Sequence, residues 1–166
     1  MPSLLVIPVV DERVRGLCCR PYEGHPRGCP NFGVAERCPP RARHLYRVFD
    51  YAGPFYAIYS AFPLGEHVAR MRSTHPDWSD RQLRCVLYWQ GTARKRLRSE
   101  VATFRAEHPE REWLVEETPE AMGLQVFETM AKAGVPLPWP PVELAYHVAL
   151  AGSAVARSLE TGGTSS

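Results

Sequence analysis

Four of the five cysteines in this chain lie within its first forty residues, and thiol chemistry is the first function that the sequence suggests. Cys18, Cys19, Cys29 and Cys38 share this segment with closely spaced glycines and prolines, and proline directly follows both Cys29 and Cys38. Thiolates are the preferred ligands of iron–sulfur clusters and also bind zinc, and a cysteine followed by proline occurs in ferredoxin cluster motifs. The segment therefore predicts a metal centre.

The spacing of these cysteines favours an iron–sulfur cluster over zinc. Common zinc sites pair cysteines about two to four residues apart, whereas nine residues separate Cys19 from Cys29 and eight separate Cys29 from Cys38. The tight cysteine run of ferredoxins is absent as well, so the segment would wrap around its metal as a wide loop. Zinc is the alternative cofactor, and a proline-rich loop with incidental buried thiols is the interpretation without any metal.

Two stretches of the chain resemble a known family. The stretch from Cys18 to Pro40, with its Gly-Cys-Pro-Asn-Phe-Gly core and its closing Cys-Pro-Pro, resembles a family of predicted metal-binding proteins catalogued only as a domain of unknown function. Residues 120–128 resemble that family's later segment, in which an acidic–alanine pair precedes a glycine and an amphipathic helix. The resemblance implies one centre of the iron–sulfur type and no particular reaction, because the second, ferredoxin-like cysteine cluster of many members is missing here.

The resemblance also orders the candidate ligands. Cys18 stands where the family has its first cysteine, which makes Cys19 a spare thiol. We therefore expect Cys18, Cys29 and Cys38 to hold the metal. The weaker candidates are the neighbouring thiol, an imidazole in the same loop and a thiol in a predicted helix, namely Cys19, His25 and Cys85.

A centre with three cysteine ligands predicts chemistry at the metal. Three thiolates would leave one iron of a four-iron, four-sulfur cluster open, and such an iron can act as a Lewis acid on a small molecule. A sulfur-handling or Lewis-acid reaction is thus the first hypothesis, with Glu120 and Glu128 as candidate acid–base groups near Gln125. These side chains could equally form a solvated helix face. An electron carrier with a redox partner is the second hypothesis, and it would use Cys85 or His25 as a fourth ligand.

A third hypothesis is a binding module that a structural zinc stabilises, with nucleic acid or protein as its partner. The net charge of +2 is too small to indicate a dedicated nucleic-acid binder, although a local patch could still serve. The candidate surface combines basic and aromatic residues: Tyr88, Trp89, Arg94, Lys95, Arg96 and Arg98. A solvated helix face is the simpler interpretation of these charges.

Length and composition predict one domain over residues 1–160 and a disordered tail over residues 161–166. The 166 residues are 45% hydrophobic and 23% charged, as in ordinary folded proteins. The short apolar run near the N-terminus is followed at once by Asp11, Glu12 and Arg13, so we expect no signal peptide. No stretch approaches the roughly 20 apolar residues of a membrane span. We expect a cytoplasmic protein without membrane contact, in conditions that disfavour stable disulfides.

Strands and helices are predicted to alternate, which indicates a single layered α/β or α+β domain with a small sheet. The long apolar stripe after residue 79 predicts one long helix, and Gly134 marks the expected end of another. The predicted elements are a strand at 4–9, a metal-binding loop at 16–40, a helical stretch at 41–50, a strand at 55–62, a helix at 63–73, a helix from 79 or 80 to 107, a strand at 112–117, a helix at 118–133 and a strand at 142–150.

Overall fold

Two long antiparallel strands form the centre of the fold in a computed structural model that describes residues 2–21 and 26–156. They are β2 (Phe55–Pro63) and β4 (Leu144–Gly152), and Ser60 lies opposite His147 in their register. The short strand β1 (Ser3–Val6) pairs with β2. Another short strand, β3 (Leu114–Glu116), pairs with β4. The strand order is β1-β2-β4-β3, and every neighbouring pair is antiparallel.

Helices and short 3₁₀ turns connect these strands. The α-helices of the described residues are α1 (Arg13–Gly16), α2 (Leu64–Thr74), α3 (Asp80–Leu83), α4 (Gln90–Glu107) and α5 (Val126–Lys132). The 3₁₀ turns are Leu17–Cys19, Leu45–Arg47, Val86–Tyr88 and Pro119–Met122. None of the described helices combines the length and the apolar character that crossing a membrane requires.

Both faces of the sheet are covered, because successive side chains of a strand point to opposite faces. Helix α4 packs its apolar stripe on the face that carries Ile58, with Leu97 and Phe104 almost fully buried. The opposite face carries Phe55. The segments before and after the cysteines pack on this face, together with the segment around residue 124. Its main buried contributors are Leu45, Phe49, Met122, Leu124, Val126 and Met130.

This architecture is α+β, because the sheet is antiparallel and has no parallel crossover. The small sheet, the long helix α4 and the approximate positions of the four strands and of helix α2 agree with the sequence prediction. The predicted tail at residues 161–166 lies outside the described residues. Within residues 16–21 and 26–40, the described parts of the predicted loop, regular structure occurs only at the start, where α1 ends and the 3₁₀ turn Leu17–Cys19 follows.

The single helix predicted from residue 79 or 80 to 107 is wrong. The chain forms α3, leaves helical geometry at Cys85, makes a 3₁₀ turn and then enters α4. Leu83 and Trp89 are both buried, although six residues at about 100° each would point them some 120° apart on one continuous helix. The break lets both side chains enter the core, and it leaves Val86 and Leu87 exposed.

The helix predicted over residues 118–133 is also divided. Gly123 has a left-handed backbone with φ of 100°, and it separates the turn Pro119–Met122 from α5. Leu124 instead forms a bridge with Val10, flanked by backbone hydrogen bonds from Asp11 to Gly123 and from Gln125 to Val9, each 2.8 Å. Pairing with the N-terminal segment therefore replaces one helical turn. The predicted stop is confirmed, because Gly134 follows the helix with a φ of 85°.

Two further predictions were too long. The helical stretch at 41–50 is reduced to the turn Leu45–Arg47, because Phe49 forms a bridge with Ala154 instead of continuing a helix. Strand β1 ends at Val6, two residues before Pro8, which has no backbone N–H for a sheet.

Candidate functional site

The cysteine segment is held by a close crossing of its own backbone. The amide of Cys29 donates a 2.8 Å hydrogen bond to the carbonyl oxygen of Cys18. Beside this bond, Gly28 has a φ of 82°, and a Cβ atom added to it would lie 2.6 Å from the same oxygen. Glycine is the residue that fits both the left-handed backbone and the close approach. The crossing brings the 3₁₀ turn of Cys18 against the chain that carries Cys29.

The chain then folds back from Cys29 to Cys38 through a series of turns. Gly33 donates a 2.8 Å hydrogen bond to the carbonyl oxygen of Pro39, and Cys38 donates at 3.0 Å to Ala35. The carbonyl oxygen of Cys38 in turn accepts a 2.9 Å hydrogen bond from the amide of Ala42, which is buried. Local hydrogen bonds therefore give this loop its shape, although it lacks helix and strand.

The three favoured thiols lie near enough to influence one another. Burial raises the pKa of Cys18, and the neighbouring Cys29 and Cys38 raise it further. Burial also raises the pKa of Cys38, with Cys29 as the second cause. Like charges near one another disfavour ionisation, which accounts for the direction of these shifts. Cys29 and Cys38 thus lie within electrostatic range of Cys18, as does its exposed neighbour Cys19.

Glu120 acts on Cys18 from a distant part of the chain. It lies in the turn Pro119–Met122, and its carboxyl is among the groups that raise the pKa of Cys18. Glu120 is an exposed residue, and desolvation of its carboxyl by nearby protein raises the pKa of Glu120 to about 6. Its own backbone N–H opposes the shift, and Glu116 adds to it. The carboxyl therefore holds its proton to a higher pH than a solvated one.

Arg15 ties the cysteine loop to the segment of Glu120. Its Nη1 atom donates a 2.9 Å hydrogen bond to the carbonyl oxygen of Ala121, and its Nη2 atom donates at 2.8 Å to that of Ala42. The side chain is only 11% exposed. One guanidinium thus bridges the residue after Glu120 and the end of the loop that carries Cys38.

A smaller network supports Arg15. The Oε2 atom of Glu12 lies 3.6 Å from Arg15 Nε and 2.8 Å from His44 Nδ1. Gly123 makes room for it, because a Cβ atom there would lie 3.3 Å from Glu12 Oε1. Glu12 therefore balances the charge of Arg15 and lies close to the imidazole of His44.

None of the other candidate residues that the structure describes is among the groups that shift the pKa of Cys18 or Cys38. Glu128 is exposed on α5, where its carboxylate pairs with Lys132 at 2.8 Å. Gln125 precedes that helix and uses its backbone amide to pair with Val9. Cys85 follows α3 and is not among the groups that shift the pKa of Cys18 or Cys38. His25 lies outside the described residues.

The fold uses half of the proposed basic and aromatic surface for its own contacts. Trp89 is 8% exposed, and its Nε1 atom donates to the carbonyl oxygen of Arg84 at 3.2 Å. Arg98 forms a salt bridge with Glu117, and Arg96 lies over the ring of Phe62. The expectation that Trp89 belongs to a surface is wrong. Of the remaining members, Tyr88 is exposed and stacks on Trp78, while Arg94 and Lys95 are exposed on α4.

Sequence reasoning missed the residues that hold the site together. Arg15, Glu12 and His44 occur among other charged or polar residues, and nothing in their spacing distinguishes them from a solvated surface. The one available signal is the left-handed glycine at residue 123, which breaks the helical pattern where Glu12 approaches.

Across residues 2–21 and 26–156, no group of three or more His, Cys, Asp or Glu side chains is arranged so that it could hold a metal ion. The metal centre therefore stays a prediction. No family model, curated protein or solved structure matches the chain. The family resemblance likewise stays a prediction.

Proposed function

We propose that this protein binds a four-iron, four-sulfur cluster through Cys18, Cys29 and Cys38, with the carboxyl of Glu120 beside it. The observation that carries the proposal is the meeting of two distant segments at Cys18. The cysteine segment and residues 120–128 are separate in the chain, yet Arg15 donates hydrogen bonds to the carbonyl oxygens of both Ala42 and Ala121. Glu120 is accordingly among the groups that raise the pKa of Cys18.

The electrostatics of the cysteines suit a cationic centre. The partly buried thiols would repel one another if they ionised to thiolates. A bound metal would neutralise that negative charge, so metal binding would be coupled to the loss of the thiol protons. A single zinc ion, with a metal–sulfur distance of about 2.3 Å, requires closely packed sulfurs. A cluster places its own iron and sulfide between the cysteines, so it suits a more widely spaced set.

The chain's own groups would supply binding, position and a proton. A cluster held by three cysteines provides one iron that can bind a small molecule as a Lewis acid. Glu120, with its pKa raised to about 6, can donate or accept a proton near neutral pH. Arg15 fixes the distance between the loop of Cys38 and the turn of Glu120. This combination supports a sulfur-handling or Lewis-acid reaction on a small molecule.

Anaerobic purification followed by iron, sulfide and zinc analysis tests the proposal. We expect about four iron and four sulfide per chain, and a brown absorbance that Cys18→Ser, Cys29→Ser and Cys38→Ser each abolish. Cys85→Ser is the matched control, because it makes the same chemical change at a cysteine outside the cluster. Far-UV circular dichroism would identify variants that lose the fold as well as the metal. A well-folded wild-type protein without stoichiometric iron would contradict the proposal.

Small ligands distinguish the open-site proposal from its alternatives. Cyanide or a simple thiol should perturb the spectrum of an open iron in the wild-type protein. Reversible reduction with no response to either ligand would instead indicate an electron carrier. Stoichiometric zinc in place of iron would indicate a zinc-stabilised module.

A further inference from the structure

The backbone contact between Cys18 and Cys29 also bears on the oxidation of their thiols. The 2.8 Å hydrogen bond joins the amide nitrogen of Cys29 to the carbonyl oxygen of Cys18. Standard bond lengths then hold the two Cα atoms within about 7 Å of each other. Disulfides join Cα atoms that lie about 4.4–6.8 Å apart. The two cysteines are therefore within reach of a covalent bond in the folded chain, and Gly28 maintains their approach.

The other loop cysteines are less suited to pair with Cys18. The backbone of Cys38 is engaged in its own turn, donating to Ala35 and accepting from Ala42. Cys19 directly follows Cys18 and is exposed. Cys29 is the cysteine whose backbone contacts Cys18 directly, and it is also the strongest electrostatic neighbour of that thiol.

We infer that Cys18 and Cys29 form a reversible intramolecular disulfide whenever no metal occupies their sulfur atoms. With oxidised glutathione as the oxidant, the thiolate of one cysteine attacks the glutathione disulfide, forms a mixed disulfide and releases one reduced glutathione. The second cysteine thiolate then displaces the second glutathione and closes the bond. The protein loses two protons and two electrons, and one oxidised glutathione becomes two reduced molecules.

The disulfide and the metal exclude each other, because both use the same two sulfur atoms. Oxidation of the metal-free protein would therefore block cluster insertion until a reductant reopens the bond. This consequence for cluster loading rests on the proposed function, whereas formation of the disulfide does not. The transient character of such a bond is compatible with a reducing compartment.

Peptide mapping of the metal-free protein tests the inference. The full chain would be stripped with a chelator and a reductant, incubated without oxygen in oxidised glutathione, quenched in acid, alkylated and digested with trypsin. Cleavage should separate residues 16–27, 28–37 and 38–41, because the bond between Arg20 and Pro21 resists trypsin. We expect two of the five thiols to be lost and peptide 16–27 to be linked to peptide 28–37.

Variants assign the bond to its sulfur atoms. Cys19→Ser should keep the link between the two peptides, Cys18→Ser and Cys29→Ser should lose it, and Cys85→Ser should leave it unchanged. Five free thiols, glutathione adducts without a link, a link to peptide 38–41, or loss of the link in Cys19→Ser would each overturn the inference. The digest of the wild-type protein shows whether the two peptides are linked even if a variant does not fold.

Iron analysis separates this inference from the proposed function. A protein that forms the disulfide but never binds iron contradicts only the proposed function. A protein that binds a cluster yet keeps all its thiols reduced after the metal is removed contradicts only the disulfide.

Discussion

Arg15 donates a 2.9 Å hydrogen bond to the carbonyl oxygen of Ala121, a residue 106 positions further along the chain. The same guanidinium donates to Ala42 O, so the loop of Cys38 and the turn of Glu120 share one half-buried cation. A charged donor in such a position contributes more than a neutral one, because its hydrogen bonds are charge-assisted. The geometry of the candidate site therefore depends on a residue outside both segments that the sequence singled out.

Replacing Arg15 tests this dependence. Arg15→Ala leaves the carbonyl oxygens of Ala42 and Ala121 without this donor and removes the arginine that neighbours Glu12, so we expect the free energy of unfolding to fall by roughly 2–4 kcal/mol. Lysine has no planar guanidinium, so it cannot donate to both carbonyl oxygens in the same way. The free energy of unfolding of Arg15→Lys should therefore lie between those of Arg15→Ala and the wild type. Urea denaturation monitored by circular dichroism measures both changes.

Arg13 provides a matched control for this experiment. Its side chain is 90% exposed and pairs with Asp11 at the surface. Arg13→Ala should leave the urea midpoint close to that of the wild type, because exposed ion pairs contribute little. Equal midpoint shifts for Arg13→Ala and Arg15→Ala would show that Arg15 does not clamp the two segments.

Comparing Gly28 with Gly33 separates the cost of a steric clash at the backbone crossing from the cost of a left-handed backbone. Both have a positive φ, but a Cβ atom at Gly33 would meet nothing within 4 Å, whereas one at Gly28 would lie 2.6 Å from Cys18 O. Gly33→Ala should cost about 1–2 kcal/mol through its left-handed backbone alone. Gly28→Ala adds a clash to the backbone strain, so we expect its free energy of unfolding to fall by about 3 kcal/mol or more.

Thermal and urea unfolding of the two glycine variants measure these costs. Gly91→Ala serves as the reference, because Gly91 lies in α4 with open space around it and alanine favours helices. Similar losses for Gly28→Ala and Gly33→Ala would mean that the backbone crossing tolerates a side chain.

The sequence predicted local elements better than the contacts between them. The strand patterns of β2 and β4 and the stop at Gly134 depend on neighbouring residues, which periodicity reveals. The breaks at Cys85 and Gly123 depend on distant partners, because Trp89 packs on Phe62 and Leu124 pairs with Val10.

The candidate site shows the same division. Residue types and spacing were enough to make the cysteines and Glu120 candidates, because thiols and carboxyls are reactive groups. Arg15 carries the same charge as the exposed Arg13, and only the packing of α1 against the turn Pro119–Met122 gives it a different environment. The surface predicted around Trp89 failed because the helix break turns that ring inward.

Adjacent aromatic residues test that break. Trp89 stacks on Phe62 in the core, while Tyr88 is 54% exposed and contacts Trp78. Trp89→Ala should lower the free energy of unfolding by about 3–5 kcal/mol, as expected for a buried aromatic ring. Tyr88→Ala should cost about 1 kcal/mol or less, because it removes only a surface stack. Similar losses in urea denaturation would mean that one helix continues through both residues.

The raised pKa of Glu120 predicts that the free energy of unfolding depends on pH. Because burial raises the pKa of Glu120 from 4.5 to about 6, the folded protein binds this proton more tightly than the unfolded chain. Stability from this group is therefore present below about pH 4.5 and is lost as the pH rises through about 6. Glu120→Gln cannot ionise, so its free energy of unfolding should rise relative to wild type between pH 4.5 and 7, in urea titrations at equal metal content. Glu128→Gln removes an exposed carboxylate in the same way, and a matching pH response from that variant would attribute the effect to net charge instead of burial.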